Sequence, residues 1–250
     1  MAGSLEGKVA AITGASSGIG EATALAFARE GAAVALGARR EDRLKDLAKR
    51  IEDDGGRALA LKADVADESS AHAFVEGANE QLGGLDILVN NAGVMLLGPL
   101  EGTDTGQWRQ MIEVNLLGLL YCTQAALPLM REAGSGHIVN ISSVAGRTAN
   151  PGSAVYNMTK WGVTGFTEAL WKEVASSGIR ATVVEPGFVD TELQGHNEHP
   201  AVQEAIKGMR EQIGEVLTAG DIADAILYTV AAPKRVSINE LLIRPTGQSR

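Results

Sequence analysis

The chain predicts a single doubly wound α/β domain of the Rossmann type, a seven-stranded parallel sheet with helices on both faces. Three observations predict it. Short apolar runs alternate with longer amphipathic stretches over all 250 residues. The short runs are continuously apolar, the pattern of strands covered on both faces. No repeat, low-complexity tract or Pro/Ser-rich linker divides the chain, so residues 1–250 read as one unit.

The elements follow in order. Residues 8–13 (KVAAIT) predict a strand, and after a run of glycines residues 19–30 predict a helix. Residues 33–37 (AVALG) predict a second strand, followed by a charged helix that runs through Ile51. Strands at 57–62 and 85–89 bracket a helix at 69–82, and the fourth strand ends at Asn90-Asn91-Ala92-Gly93. One long helix is expected over 105–130, then a strand at 137–141, a helix at 154–176, and strands at 180–184 and 238–243. Parallel neighbours require crossover connections, which the intervening helices supply. The stretch 188–214 reads as one long irregular loop, and a loop of that length in a compact domain suggests a substrate lid.

Composition narrows the function. Apolar residues make up 45% and charged residues 21%, as in an ordinary globular chain. The net charge of −9 argues against nucleic acid and anionic membrane as partners, since both need a basic face. No apolar stretch is read as approaching a membrane span, and the expected location is cytoplasmic. The single cysteine, Cys122, has no partner for an internal disulfide and falls in an apolar helical pattern, so a buried core position is expected. The four histidines lack metal-ligand spacing, so no metal site is expected.

The first strand runs straight into Thr13-Gly14-Ala15-Ser16-Ser17-Gly18-Ile19-Gly20 and then a helix. Glycine lets this turn tighten and approach a pyrophosphate closely, while the helix N-terminus beyond it offers free N–H groups and a positive dipole end. In an open parallel sheet the ligand crevice lies at the carboxyl ends of the strands, where this turn sits. A dinucleotide is therefore the expected ligand. The end of the second strand selects which one. An acidic residue there would take the adenosine ribose 2′-hydroxyl of NAD, but the chain has Gly37-Ala38-Arg39-Arg40. Arg39 is suited to the 2′-phosphate of NADP, and Arg40 either supports it or begins a solvent-facing helix.

Ser143 falls at the end of the fifth strand, and thirteen residues later Tyr156 and Lys160 sit at i and i+4 of a helix, on one face. A free tyrosine, with a pKa of about 10, is a poor base near neutrality. A neighbouring ammonium together with an oxidised nicotinamide would favour the phenolate. Tyr156 can then remove a proton from an alcohol or give one to a carbonyl, with Ser143 hydrogen-bonding the reacting oxygen.

With these motifs in place the chain resembles the short-chain dehydrogenases/reductases along essentially its whole length. The resemblance rests on the turn at 13–20, the NNAG at 90–93, Asn115, Ser143, Tyr156–Lys160 and Pro186-Gly187. It implies a catalytic set of Asn115, Ser143, Tyr156 and Lys160, with Lys160 also on the nicotinamide ribose and Asn115 holding a relay water. It implies cofactor contacts from Gly14, Ser16, Ser17, Gly18, Ile19 and Gly20, and from Asn91, Ala92 and Gly93 on the adenosine side. Asp64 and Val65 would meet the adenine, although Asp64 is equally suited to capping the third helix. Pro186, Gly187, Val189 and Thr191 would line the carboxamide. Many NADP-preferring members carry a basic residue where this chain has Ser17, so the preference rests on Arg39 with Arg40.

Within the family, 95–99, 143–147, 185–196 and 243–246 most resemble the clavulanic acid dehydrogenase and 3-hydroxy acid dehydrogenase branches. The expected substrate is a small-to-medium aldehyde or ketone, of clavulanate or hydroxy-acid type. Arg147 is a candidate for a substrate carboxylate and His196 for a closing group; each is otherwise a surface or lid residue. Met95, Phe188, Leu193 and Met209 are candidates for an apolar pocket. A 3-oxoacyl-carrier-protein reductase and a non-catalytic NADP(H) sensor are the alternatives, and a homo-oligomer, a tetramer, follows from the resemblance.

Overall fold

A computed structural model describes residues 3–197 and 199–249. Seven strands, β1 (Val9–Thr13), β2 (Ala33–Ala38), β3 (Arg57–Lys62), β4 (Ile87–Asn90), β5 (Gly136–Ile141), β6 (Ile179–Pro186) and β7 (Glu240–Ile243), form one sheet in the order β3-β2-β1-β4-β5-β6-β7. Every pairing is parallel. The order reverses direction between β1 and β4, which opens a crevice at the carboxyl ends of those two strands.

Helices cover both faces because the strands present apolar side chains alternately to each. On one face α1 (Gly18–Arg29), α2 (Glu41–Asp53) and α8 (Ala219–Ala231) close over Ile12, Val34, Leu36 and Val139. On the other, α3 (Glu68–Leu82), α4 (Thr105–Ile112), α5 (Gly118–Glu132) and α6 (Ala154–Val174) pack over Ala11, Ala35, Leu88 and Ile138. Cys122 lies fully buried in that second layer, as expected, and burial pushes its thiol up to about 12.

Three expectations need correction. The helix expected at 105–130 is not uniform: a π-helical turn at Glu113–Leu117 separates α4 from α5. Such a turn inserts one residue into the helical ladder and commonly marks a functional site. The stretch 188–214 is not an irregular loop. It holds a 3₁₀ turn at Glu192–His196 and the helix α7 (Pro200–Ile213), with Pro200 in the first turn where its missing N–H costs nothing. Finally, the continuous run Thr105–Glu132 is, by length and composition alone, apolar enough to cross a membrane, with a mean hydropathy of 1.3. Here it packs along one edge on the sheet and α3.

Candidate active site

The glycine turn is shaped by backbone requirements. Gly14 and Gly18 have φ of +66° and +57°, in the left-handed region where a Cβ is strained. A Cβ at Gly14 would also lie 2.9 Å from the Ala92 Cα. Thr13 and Asn91 tie the turn to the end of β4: the Thr13 hydroxyl accepts from the Asn91 and Ala92 amides, each at 3.0 Å. The Asn91 side-chain amide donates to the Thr13 carbonyl at 2.9 Å. Ser17 precedes α1 but does not cap it with its side chain, so the first amides of α1 remain open toward the crevice. An open helix N-terminus beneath a side-chain-free turn suits a pyrophosphate.

One cleft of about 330 Å³ gathers nearly all the predicted cofactor residues. Gly14, Ser16, Ser17, Gly18 and Ile19 form its floor, and Arg39, Arg40, Asp64, Val65, Asn91, Ala92 and Gly93 one flank. Ser143, Tyr156, Lys160, Pro186, Gly187, Val189 and Thr191 form the other. Gly20 does not reach the cleft; a Cβ there would meet the Asn91 side chain and the Gly14 carbonyl at 2.5 Å, so its smallness serves packing. Asp64 does not cap α3, a part taken by Asp67, whose carboxylate accepts from the Ser70 amide at 2.7 Å. Asp64 instead accepts from the Ala66 amide.

The two arginines part company. Arg39, beside the cleft, makes no hydrogen bond or ion pair among the described residues, which leaves its guanidinium open to an anion. Arg40 does not simply begin a solvent-facing helix. Its guanidinium donates to the hydroxyls of Ser16, at 2.9 and 3.1 Å, and Ser17, at 2.7 Å, and it pairs with Glu192 at 2.7 Å.

At the other end, Ser143 and the Tyr156–Lys160 pair converge. Ser143 caps a short turn at Val144–Gly146 by accepting from the Ala145 amide at 3.1 Å. Its hydroxyl also donates to the Pro186 carbonyl at 3.5 Å and lies near enough to Tyr156 to lower the phenol's pKa. Lys160 places its ammonium 5.8 Å from the centre of the Tyr156 ring and donates to the Ile141 carbonyl at 2.9 Å. Both side chains are buried. Burial pushes the Tyr156 phenol up to about 12, against a smaller lowering by Ser143, and burial draws Lys160 down to about 8. Of the phenol's neighbours in the protein, Lys160 does not offset burial, so the expected lowering of Tyr156 is not met by the side chains alone. Burial thus favours the protonated phenol.

Asn115 lies behind the cleft, inside the π turn. Its side chain is paired on both atoms with the backbone of Val94, at 2.8 and 2.9 Å, and donates to Thr159 at 3.2 Å. The π turn therefore locks the strand extension after β4 to the helix that carries Tyr156 and Lys160.

Arg147 is not a free cation. It is bound to the fully buried carboxylate of Glu185, at 2.7 Å, and to Glu240. His196 stands at the cleft edge, its pKa lowered by burial and then by the nearby Arg40 and Arg39 charges. Sequence reasoning missed Glu192 and Glu185. Both lie in the 185–196 segment that carries the resemblance, but they take their meaning from partners far along the chain.

A family model for the short chain dehydrogenases matches residues 8–201. An uncharacterized oxidoreductase of Staphylococcus saprophyticus is 42% identical over 97% of each chain. The glycine betaine reductase of Emericella nidulans is 43% identical over 98% of this chain, which spans only 19% of that much longer protein. Among solved structures, an alcohol dehydrogenase of Thermococcus sibiricus complexed with 5-hydroxy-NADP superposes with a TM-score of 0.86 at 32% identity, covering 97% of this chain and 98% of that one. The closed form of a serine dehydrogenase complexed with NADP+ gives 0.88 at 32%, covering 96% of each. A family model over most of the chain, with a relative 42% identical over nearly its whole length, places the protein: the chain belongs to the short-chain dehydrogenases/reductases and is an oxidoreductase.

Proposed function

We propose that this enzyme interconverts an aldehyde or ketone and an alcohol with NADP(H), using Tyr156 as the proton donor and acceptor. The observation that carries this reading is the convergence of Ser143, Tyr156 and Lys160 on a cleft whose far end holds Arg39, unpaired among the described residues. The residues fit the cofactor: the uncapped α1 N-terminus suits a pyrophosphate, and Arg39 suits the 2′-phosphate. Two NADP-bound structures among the similar ones support that preference. When bound, NADP(H) supplies or accepts the hydride.

The protein's own residues then account for the proton. Ser143 holds the substrate oxygen by a hydrogen bond, and Tyr156, protonated near neutral pH, gives its proton to that oxygen in reduction. Lys160, buried on the same helix face, stabilises the phenolate left behind, because an ammonium beside it favours the charged form. Asn115 keeps the Val94 backbone and α6 in register, and by resemblance holds a water that returns the proton.

For the substrate we propose a small-to-medium carbonyl compound. The likeness to a serine dehydrogenase supports a hydroxy-acid or aldehyde of that size. Arg147 is not the group that would read a carboxylate. The 188–214 segment, folded as a turn and α7 beside the cleft, serves as the substrate lid. We further propose a cytoplasmic homotetramer. Leu120, Met158 and Trp161 stand exposed on α5 and α6, an apolar face that a second copy would cover.

The test is NADPH and NADH oxidation over a panel of aldehydes, ketones and oxo-acids, with Tyr156→Phe beside the wild type. Turnover should prefer NADPH and fall at least about 100-fold in the variant, the lower end for loss of a general acid. Turnover that favours NADH, or that survives in Tyr156→Phe, overturns the corresponding half of the reading.

A further inference from the structure

We propose that Glu192 is a positioning residue that clasps the cofactor cleft shut through Arg40 and Arg43, and so sets how fast the bound dinucleotide leaves. The proposal rests on the reading of this cleft as a dinucleotide site.

The cleft has two walls that come from distant parts of the chain. One is the glycine turn with the start of α2; the other is the segment that follows β6. Glu192 crosses between them. One carboxylate oxygen pairs with Arg40 at 2.7 Å and the other with Arg43 at 2.6 Å. Arg40 is itself pinned to the turn by the Ser16 and Ser17 hydroxyls, so the link reaches from the lid segment to the cleft floor. Among the described residues, these are the only hydrogen bonds or ion pairs joining residues 189–196 to that wall.

The anchoring of the segment directs where movement occurs. At its near end Val189 pairs with Leu217, and the Asp190 amide donates to the Leu217 carbonyl at 2.8 Å. At its far end the Asn197 side chain accepts from the Leu97 amide at 2.7 Å and donates to the Met95 carbonyl at 3.0 Å. Between these fixed points the 3₁₀ turn is held across the cleft by Glu192 alone. Nearby, Thr191 leans toward the turn; a Cβ on Gly18 would lie 3.2 Å from its methyl. Anything lying on the glycine floor is enclosed while the pairs hold, and leaves when they break.

The charge balance has a second consequence. Three groups at this mouth, Arg39, Arg40 and Arg43, are cationic, and Glu192 engages two of them. Arg39 is left to the 2′-phosphate, so Glu192 acts on any dinucleotide held in the cleft and not on the phosphate itself. The clasp must therefore retain NADPH and NADH by the same factor. A residue acting through the phosphate site would affect only NADPH.

The experiment is stopped-flow chase of enzyme-bound NADPH, and separately NADH, by excess oxidised cofactor, followed by nicotinamide fluorescence. It is run on the wild type, Glu192→Gln and Arg43→Gln. Glu192 and Arg43 are half-exposed, so neither variant removes core packing. In Glu192→Gln both dissociation rates should rise by about three- to ten-fold, the effect of one or two exposed ion pairs. Arg43→Gln should give a smaller rise in the same direction. Unchanged rates, slower release, or a change confined to NADPH would each overturn the clasp. If the wild type binds neither dinucleotide, the cofactor reading fails first and takes the clasp with it.

Discussion

At the scale of single residues, Lys160 shows chemistry set against stability. An ammonium buried at this depth is costly, and its pKa falls from about 10.5 to about 8 as a result. The sign follows from proton binding. Between about pH 8 and 10.5 the unfolded chain holds the proton and the folded chain does not, so stability rises with pH across that window. Below pH 8 the penalty is present in full, on the order of 3 kcal/mol. Lys160→Met should therefore abolish turnover yet melt higher at pH 7, by a few degrees, after the loss of the bond to Ile141 is discounted. Differential scanning calorimetry checks it, and the gap from wild type should narrow as pH is raised from 8 toward 10. A variant that melts lower at pH 7 would show that the hydrogen bond outweighs the buried charge. The Tyr156–Lys160 pair was legible because i and i+4 on a helix share a face whatever surrounds them. The direction of the Tyr156 shift was not, since burial is a property of the fold and here it outweighs the lowering by Ser143.

Among the elements, the turn that follows Ser143 is the one most dependent on a distant contact. Arg147, at its end, reaches the carboxylate of Glu185 in β6, which also accepts from Thr164 of α6 at 3.1 Å. One buried carboxylate thus joins the serine turn, the catalytic helix and the sheet. Arg147→Met should destabilise the protein by about 2 kcal/mol, below the range for a fully buried pair because the guanidinium is partly exposed. Pairing it with Glu185→Gln should recover most of that loss, since the uncompensated charge is gone. Thermal melts of the three variants measure the coupling, and steady-state kinetics add a second readout. kcat should fall as Ser143 loosens, while KM for oxo-acids relative to neutral ketones stays as in wild type. A selective rise in KM for the acids would restore Arg147 as a substrate ligand. The same scale explains two misread elements. The π turn has no local signature, because inserting a residue changes which backbone groups pair without changing composition. The helix α7 did have one: Val202, Ile206, Met209 and Ile213 recur at helical spacing behind Pro200. Its helix is hidden by length, since 188–214 reads as a single connection.

At the scale of the whole molecule, the apolar face on α5 and α6 decides the last prediction. About a third of the most apolar stretch of Thr105–Glu132 is fully buried, and among its large apolar side chains Leu120 stands exposed. Leu120 is 37% exposed, Met158 51% and Trp161 52%. Met158 and Trp161 lie on the same helix as Tyr156 and Lys160 but turn outward, so α6 is gripped by the core on one side and, among the described residues, is open on the other. Covering that face with a second copy would bury apolar area and stiffen α6 at once, linking assembly to catalysis. Trp161→Glu places a charge in the middle of the proposed contact, where its desolvation would oppose association. Sedimentation velocity should show the variant at lower mass than wild type, with the tetramer lost. Its activity per chain should fall and become dependent on concentration, while far-ultraviolet circular dichroism stays native. Full activity in a dissociated variant would separate assembly from chemistry and leave α6 held by Asn115, Glu185 and the sheet alone. A wild type that sediments as a monomer would remove the assembly altogether and leave that apolar face for another partner.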